Sequence, residues 1–168
     1  MAADRLTGAR DASADDLSKC YNQRVNEAAS HSTNHLRRTV SSDDGSAQLD
    51  EGVLRDHRYP VHKIADQLEP YLRVLLKKFQ PAKVILFGSY AYGKPTEHSD
   101  VDLLIIKPLE QSPVREAISI RKAWRPVRAE VGPLPFNLIV TSPEEHERRL
   151  SHSAGFYDEI VRRGLRIA

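Results

Sequence analysis

Large apolar residues crowd into the last two-thirds of this chain and thin out before it. Beginning at Val61 they recur at helical spacing through Ile64, Ala65, Leu68, Leu72, Leu75, Leu76 and Phe79, which predicts one face of an amphipathic helix. Pro70 sits inside that stretch, so the helix should kink there or restart with Pro70 in its first turn. Lys83-Val84-Ile85-Leu86-Phe87, bounded by Pro81 and Gly88, reads as a short buried strand, and residues 101–106 read the same way. Ser112-Pro113 supplies an N-cap and a first-turn proline for the next helix. Its inner face is expected to carry Val114, Ala117, Ile118, Trp124, Val127 and Val131, with a bend at Pro126 and an end at Gly132-Pro133. Residues 136–141 form a third strand, and Ser142-Pro143-Glu144-Glu145 is a capping box for another helix. A last short helix runs near residues 156–163 and stops at Gly164. The order of helix, strand, strand, helix, strand and helices implies an α/β (α+β) domain, a small mixed β-sheet flanked by helices.

Before Val53 the pattern is different. Leu6, Leu17, Tyr21, Val25, Leu36, Val40 and Leu49 are the only large apolar residues, and they keep no sustained period. Between them lie polar runs such as Ser41-Ser42-Asp43-Asp44-Gly45-Ser46. Such a stretch buries too little apolar surface to offset roughly 1–2 kcal/mol of backbone entropy per residue. Residues 1–52 are therefore expected to be a disordered acidic extension, with at most a transient helix near residues 15–29, and residues 53–168 to be the folded domain. Translation starting near Val53 would give a product without the extension. His31 and His35 stand four apart, but no Cys or carboxylate pattern supports a metal site there.

Charge sharpens this division. The formal net charge of +2 averages a first segment of six basic and nine acidic residues with a second of nineteen and fourteen. The apolar runs, such as Leu103-Leu104-Ile105-Ile106, fall far short of the roughly 20 residues a spanning helix needs. The N-terminus has no apolar stretch of the kind that makes a secretory signal. The single Cys20 cannot form an internal disulfide. A cytoplasmic protein without membrane association is expected.

The chemistry concentrates between the first two strands. Gly88 follows a buried strand directly, where a missing side chain lets backbone amides approach an anion. Ser89 adds a hydroxyl at the start of a turn. Ten residues later come Asp100 and Asp102, which alternation places on one strand face. Two adjacent carboxylates repel each other unless a counter-charge is present, and oxygen ligands of this kind suit Mg²⁺ shared with substrate phosphates. A phosphate cradle facing a carboxylate pair fits transfer onto an α-phosphate with release of pyrophosphate.

Gly88-Ser89, ten intervening residues and Asp100-Val101-Asp102 resemble the signature of the DNA polymerase β-like nucleotidyltransferase superfamily. The similarity extends over about residues 60–167 and is greatest to the minimal nucleotidyltransferase domain proteins. The resemblance implies the fold of that superfamily. It also implies triphosphate binding by Gly88 and Ser89, and Mg²⁺ binding by Asp100 and Asp102, with ATP as substrate. It further implies transfer of AMP to a hydroxyl, in stand-alone members often a tyrosine of a HEPN-domain toxin that the protein neutralises as an antitoxin. Two positions depart from the pattern. Asn137 stands where the family's third catalytic carboxylate lies; its amide can ligate Mg²⁺ weakly but cannot act as a base. Tyr92 stands where many relatives carry Arg, and Lys94 is close enough in sequence to supply the missing cation.

Other residues read more plainly. His98 is expected in solvent, Trp124 in the core, and at least one of Tyr90 and Tyr92 beneath the loop. Glu144, Glu145 and Glu147 serve the helix start. Arg121, Lys122, Arg125 and Arg128 make a basic helical stretch. No helix-turn-helix, zinc finger or aromatic RNA-binding signature accompanies it, so direct nucleic-acid binding is not expected. Three functions follow: adenylylation of a protein partner, neutralisation of a partner by complex formation with impaired catalysis, and transfer to a small hydroxylated molecule.

Overall fold

The computed structural model describes residues 47–152 and 155–168. The expected extension up to residue 46, with its helix near residues 15–29 and the histidine pair, lies outside them. Four strands, β1 (Lys83–Phe87), β2 (Val101–Ile106), β3 (Phe136–Thr141) and β4 (Leu165–Arg166), form one sheet in the order β3-β2-β1-β4. β1 is antiparallel to β2 and β4, and β2 is parallel to β3. With a neighbour on each edge, β1 and β2 are the inner strands, and their almost unbroken apolar sequences follow from burial on both faces. The expected α/β architecture is what the chain adopts.

Seven α-helices flank the sheet among the described residues: α1 (Glu51–Arg55), α2 (Ala65–Phe79), α3 (Ser89–Tyr92), α4 (Pro113–Ala123), α5 (Arg125–Val131), α6 (Pro143–His152) and α7 (Phe156–Arg163). A 3-10 helix, Pro60–Ile64, precedes α2. The expected helix therefore starts as a tighter turn and continues as α2 through Pro70, which stands inside it and does not open a new helix. The larger core, built on Leu68, Leu72, Leu75, Leu86, Leu103 and Ile120, joins one sheet face to α2, α4 and α5. A smaller cluster of Ile85, Phe87, Leu104, Ile106 and Ile160 joins the other face to α7.

Two polar anchors hold the helices in place. Trp124, at the break between α4 and α5, donates its indole N–H to the Tyr71 carbonyl at 2.8 Å. Lys107 and Glu116 form a buried ion pair at 2.6 Å between the end of β2 and α4, and Gln111 donates to the second carboxylate oxygen at 2.7 Å. Burial pushes the Glu116 carboxyl up, but these hydrogen bonds outweigh it and hold its pKa below the ordinary value.

The structure differs from expectation at three places. Residues 47–52 belong to the folded unit: Ala47 N–H donates to the Pro81 carbonyl, Asp50 N–H to the Ile167 carbonyl, and the Asp50 carboxylate caps α1. A five-residue helix is too short to show a period, which hid this segment. Val114 and Ile118 are 70% and 47% exposed instead of buried, while Ala117, Trp124 and Val127 are in the core. The two-residue β4 follows Gly164, where a Cβ would meet the Ile160 carbonyl and the Ile85 side chain, so β4 can lie this close to β1 only after a glycine.

α2 ends at Gln80 in the left-handed conformation (φ 42°), its N–H bonded to the Leu76 carbonyl. A side chain there is strained and a glycine is not. Gln80→Gly, at this exposed position, is expected to raise stability by about 0.5–1 kcal/mol, read as a higher denaturation midpoint with unchanged slope.

Candidate active site

Phe87, Asp102 and Asn137 are directly paired residues on β1, β2 and β3. This row lies at one end of the sheet, where β1 finishes and β2 and β3 begin. Alternation places Asp102 and Asn137 on the face of Leu104, Ile106 and Ile139, which only the smaller apolar cluster covers. The half-buried Asp102 carboxylate accepts a hydrogen bond from the Asn137 side-chain amide at 3.0 Å. Asp100 is exposed immediately before the strand. The entry of β2 is tied down by Val101 N–H, which donates to the Pro135 carbonyl at 2.8 Å, and by the turn in which Ser99 Oγ accepts from Thr96 N–H.

Gly88 continues β1 beyond Phe87 with φ 71° and ψ −151°, a backbone region that is essentially glycine's alone. A Cβ there would collide with the Asp102 carboxylate. One glycine therefore provides both the sharp exit into α3 and the space beside the carboxylate. Its carbonyl accepts from the Ala91 and Tyr92 amides, at 3.1 and 3.2 Å. The amides of Ser89 and Tyr90, heading the helix, have no backbone acceptor among the described residues.

The structure thus brings Gly88, Ser89, Asp102 and Asn137 to one sheet end, with Asp100 beside them. Tyr92 lies on α3 and is half-buried, as is Tyr90; both pack on the core. Lys94 is exposed in the loop beyond Tyr92, and His98 is exposed as expected. A cation that the sequence did not reveal lies here as well: the Arg163 guanidinium stands over the Tyr92 ring, 4.1 Å from its centroid, while donating to Glu159. Arg163 comes from α7, far along the chain, and no local motif links it to Tyr92.

Burial raises the Asp102 pKa, the Asn137 hydrogen bond opposes that rise, and the charge of Asp100 adds to it. A carboxylate held this way is short of positive charge. Among the described residues no group of three or more His, Cys, Asp and Glu is placed to hold a metal. Two carboxylates and an amide nevertheless fit a divalent ion of the Mg²⁺ type, which completes its shell with water and substrate oxygens. The missing Cβ of Gly88 makes the room that the Asp102 carboxylate itself occupies, and Asp102 stays only half-buried, so part of its surface faces outward toward such a ligand.

Residues 68–163 match the nucleotidyltransferase domain family. The chain belongs to that family. Its sheet and helices are those of the DNA polymerase β-like nucleotidyltransferase fold. Two proteins of Methanocaldococcus jannaschii, both named provisionally as protein adenylyltransferases, resemble it locally. One is 36% identical over 45 residues, 27% of this chain and 46% of the relative. The other is 37% identical over 43 residues, 26% of this chain and 43% of the relative. The chain thus spans less than half the length of each.

The nucleotidyltransferase domain carries strain and desolvation at this site, and both are measurable. Gly88→Ala is expected to cost about 1–3 kcal/mol through its backbone conformation alone, seen as a lower unfolding midpoint. Because the folded Asp102 pKa lies above its unfolded value, ionised Asp102 opposes folding at neutral pH, and the penalty fades as pH falls through the folded pKa. Asp102→Asn, which keeps an acceptor for Asn137, is expected to raise the melting temperature at pH 7. Melts repeated at pH 4 should show a smaller gain.

Proposed function

We propose that the domain transfers AMP from Mg-ATP to a hydroxyl of a partner protein, a tyrosine of a HEPN-type toxin, and so acts as an antitoxin. The observation carrying this reading is the row that sets Asp102 between the Gly88-Ser89 turn and Asn137. The names of the two archaeal relatives support a protein acceptor.

In this reading the free amides at the start of α3 and the Ser89 hydroxyl hold the triphosphate. Lys94 and Tyr92, with Arg163 beside Tyr92, flank it. Asp100 and Asp102 would hold Mg²⁺, which supplies positive charge to the phosphates and to the departing pyrophosphate. The acceptor oxygen bonds to the α-phosphorus as the bond to the pyrophosphate oxygen breaks, and the hydroxyl proton passes to solvent water. Asn137 is an N–H donor to Asp102 in this arrangement. It cannot take that proton, so transfer is slow.

The same contact favours a second reading, a nucleotide-binding antitoxin that neutralises its partner by association. Incubating the full chain with α-labelled ATP, Mg²⁺ and the partner co-purified from its native cell separates the two. Label on the partner is expected, absent with γ-labelled ATP and increased by roughly 10²-fold in Asn137→Asp. Tight association without label supports the second reading. An Asn137→Asp rate equal to wild type would contradict the role given to this position.

A further inference from the structure

On the sheet face opposite Asp102, α4, α5 and the start of β3 enclose a groove of about 490 Å³. Its apolar lining includes Ile118, Leu134, Pro135 and Phe136. Ile118 is 47% exposed and Val114, one turn before it on α4, is 70% exposed, so aliphatic surface extends out of the groove. Four cations, Arg121, Lys122, Arg125 and Arg128, also line it, and no carboxylate does. Seven other arginines, among them Arg55, Arg73 and Arg149, pair with carboxylates, whereas these four have no such partner among the described residues.

We propose that this groove docks an acidic segment of a partner protein that carries aliphatic side chains. The excess positive charge selects an anionic ligand, and exposed Ile118 and Val114 select aliphatic groups on it. Single-stranded nucleic acid would need aromatic faces for its bases. Tyr71 and Trp124 are 2% and 3% exposed, with their polar hydrogens committed to the Gly132 and Tyr71 carbonyls. Phe136 is the one half-buried aromatic of the lining, and its ring packs against Tyr71 and Trp124 with centroids 5.0 and 4.4 Å away, so the groove lacks the succession of free aromatic faces on which a run of bases stacks. Arg121 donates to the Phe136 carbonyl at 2.9 Å, which ties the groove to the residue before Asn137. A segment held here is anchored beside the strand that contributes to the candidate active site.

The test is binding without nucleotide, so it is independent of whether the domain transfers AMP. A labelled amphipathic peptide of Glu and Leu, its Lys/Leu counterpart and a labelled oligothymidylate are titrated with the full chain and followed by fluorescence anisotropy. The Glu/Leu peptide is expected to bind, more weakly as salt rises, and the Lys/Leu peptide is not. The double variant Arg125→Glu, Arg128→Glu should weaken binding at least about 10-fold. Ile118→Ser, at an exposed position, should weaken it several-fold with the unfolding midpoint unchanged. Oligothymidylate binding more tightly than the peptide, no peptide binding, or affinity unaffected by charge reversal would each overturn the proposal.

Discussion

Phe87, Asp102 and Asn137 occupy one row across three strands, and the candidate site depends on that register. A slip of one residue on β2 would turn Asp102 towards the larger core and bring Val101 or Leu103 to the open end, burying a carboxylate and exposing a core residue. The register is strongly held because Leu103 and Ile105 fill one face while Leu104 and Ile106 fill the other, all nearly inaccessible to solvent. The packing that stabilises the sheet is therefore also what aims the carboxylate. Burying a large aliphatic side chain contributes about 1.5–3 kcal/mol, so several such residues oppose any shift.

Against this rigid row the site keeps features that disfavour stability. Gly88 holds a conformation open to glycine, and its missing Cβ lets the Asp102 carboxylate pack directly against the backbone turn. Asp102 sits partly desolvated beside a second carboxylate, with one amide as its hydrogen-bond donor. Unspent acceptor capacity and raised pKa are what a cation or a nucleotide–cation complex would relieve. In the proposed reading, Asn137 would alter this balance, since an amide donates to Asp102 where a third carboxylate would repel it, and an amide cannot serve as the base that such a carboxylate would supply. Under the proposed function, Asn137 would thus favour holding the ligand over transforming it.

The sheet's three longer strands, the Ser112 and Ser142 caps and the Gly88-to-Asp102 spacing were all legible in the sequence, because each rests on local periodicity or on turn chemistry. What escaped depends on distant contacts. β4 is two residues long and exists through its pairing with Ile85 and Leu86. Residues 47–52 fold because Pro81 and Ile167 offer them carbonyls. Val114 and Ile118 carry the right period for a core face, yet both stand in solvent, and spacing alone does not tell which turns of an amphipathic helix a neighbour covers. Arg163 reaches Tyr92 from another helix, so no motif around Gly88 could have named it.

Paramagnetic broadening of backbone amide signals by Mn²⁺-ATP, measured on the full chain, tests the location of the site most directly. The register predicts that amides at Gly88, Ser89, Val101, Asp102 and Asn137 broaden first, and that Asp102→Asn weakens the effect at all of them. Broadening centred on exposed carboxylates elsewhere, such as Glu144 and Glu147, with the row from Phe87 to Asn137 untouched, would contradict the account.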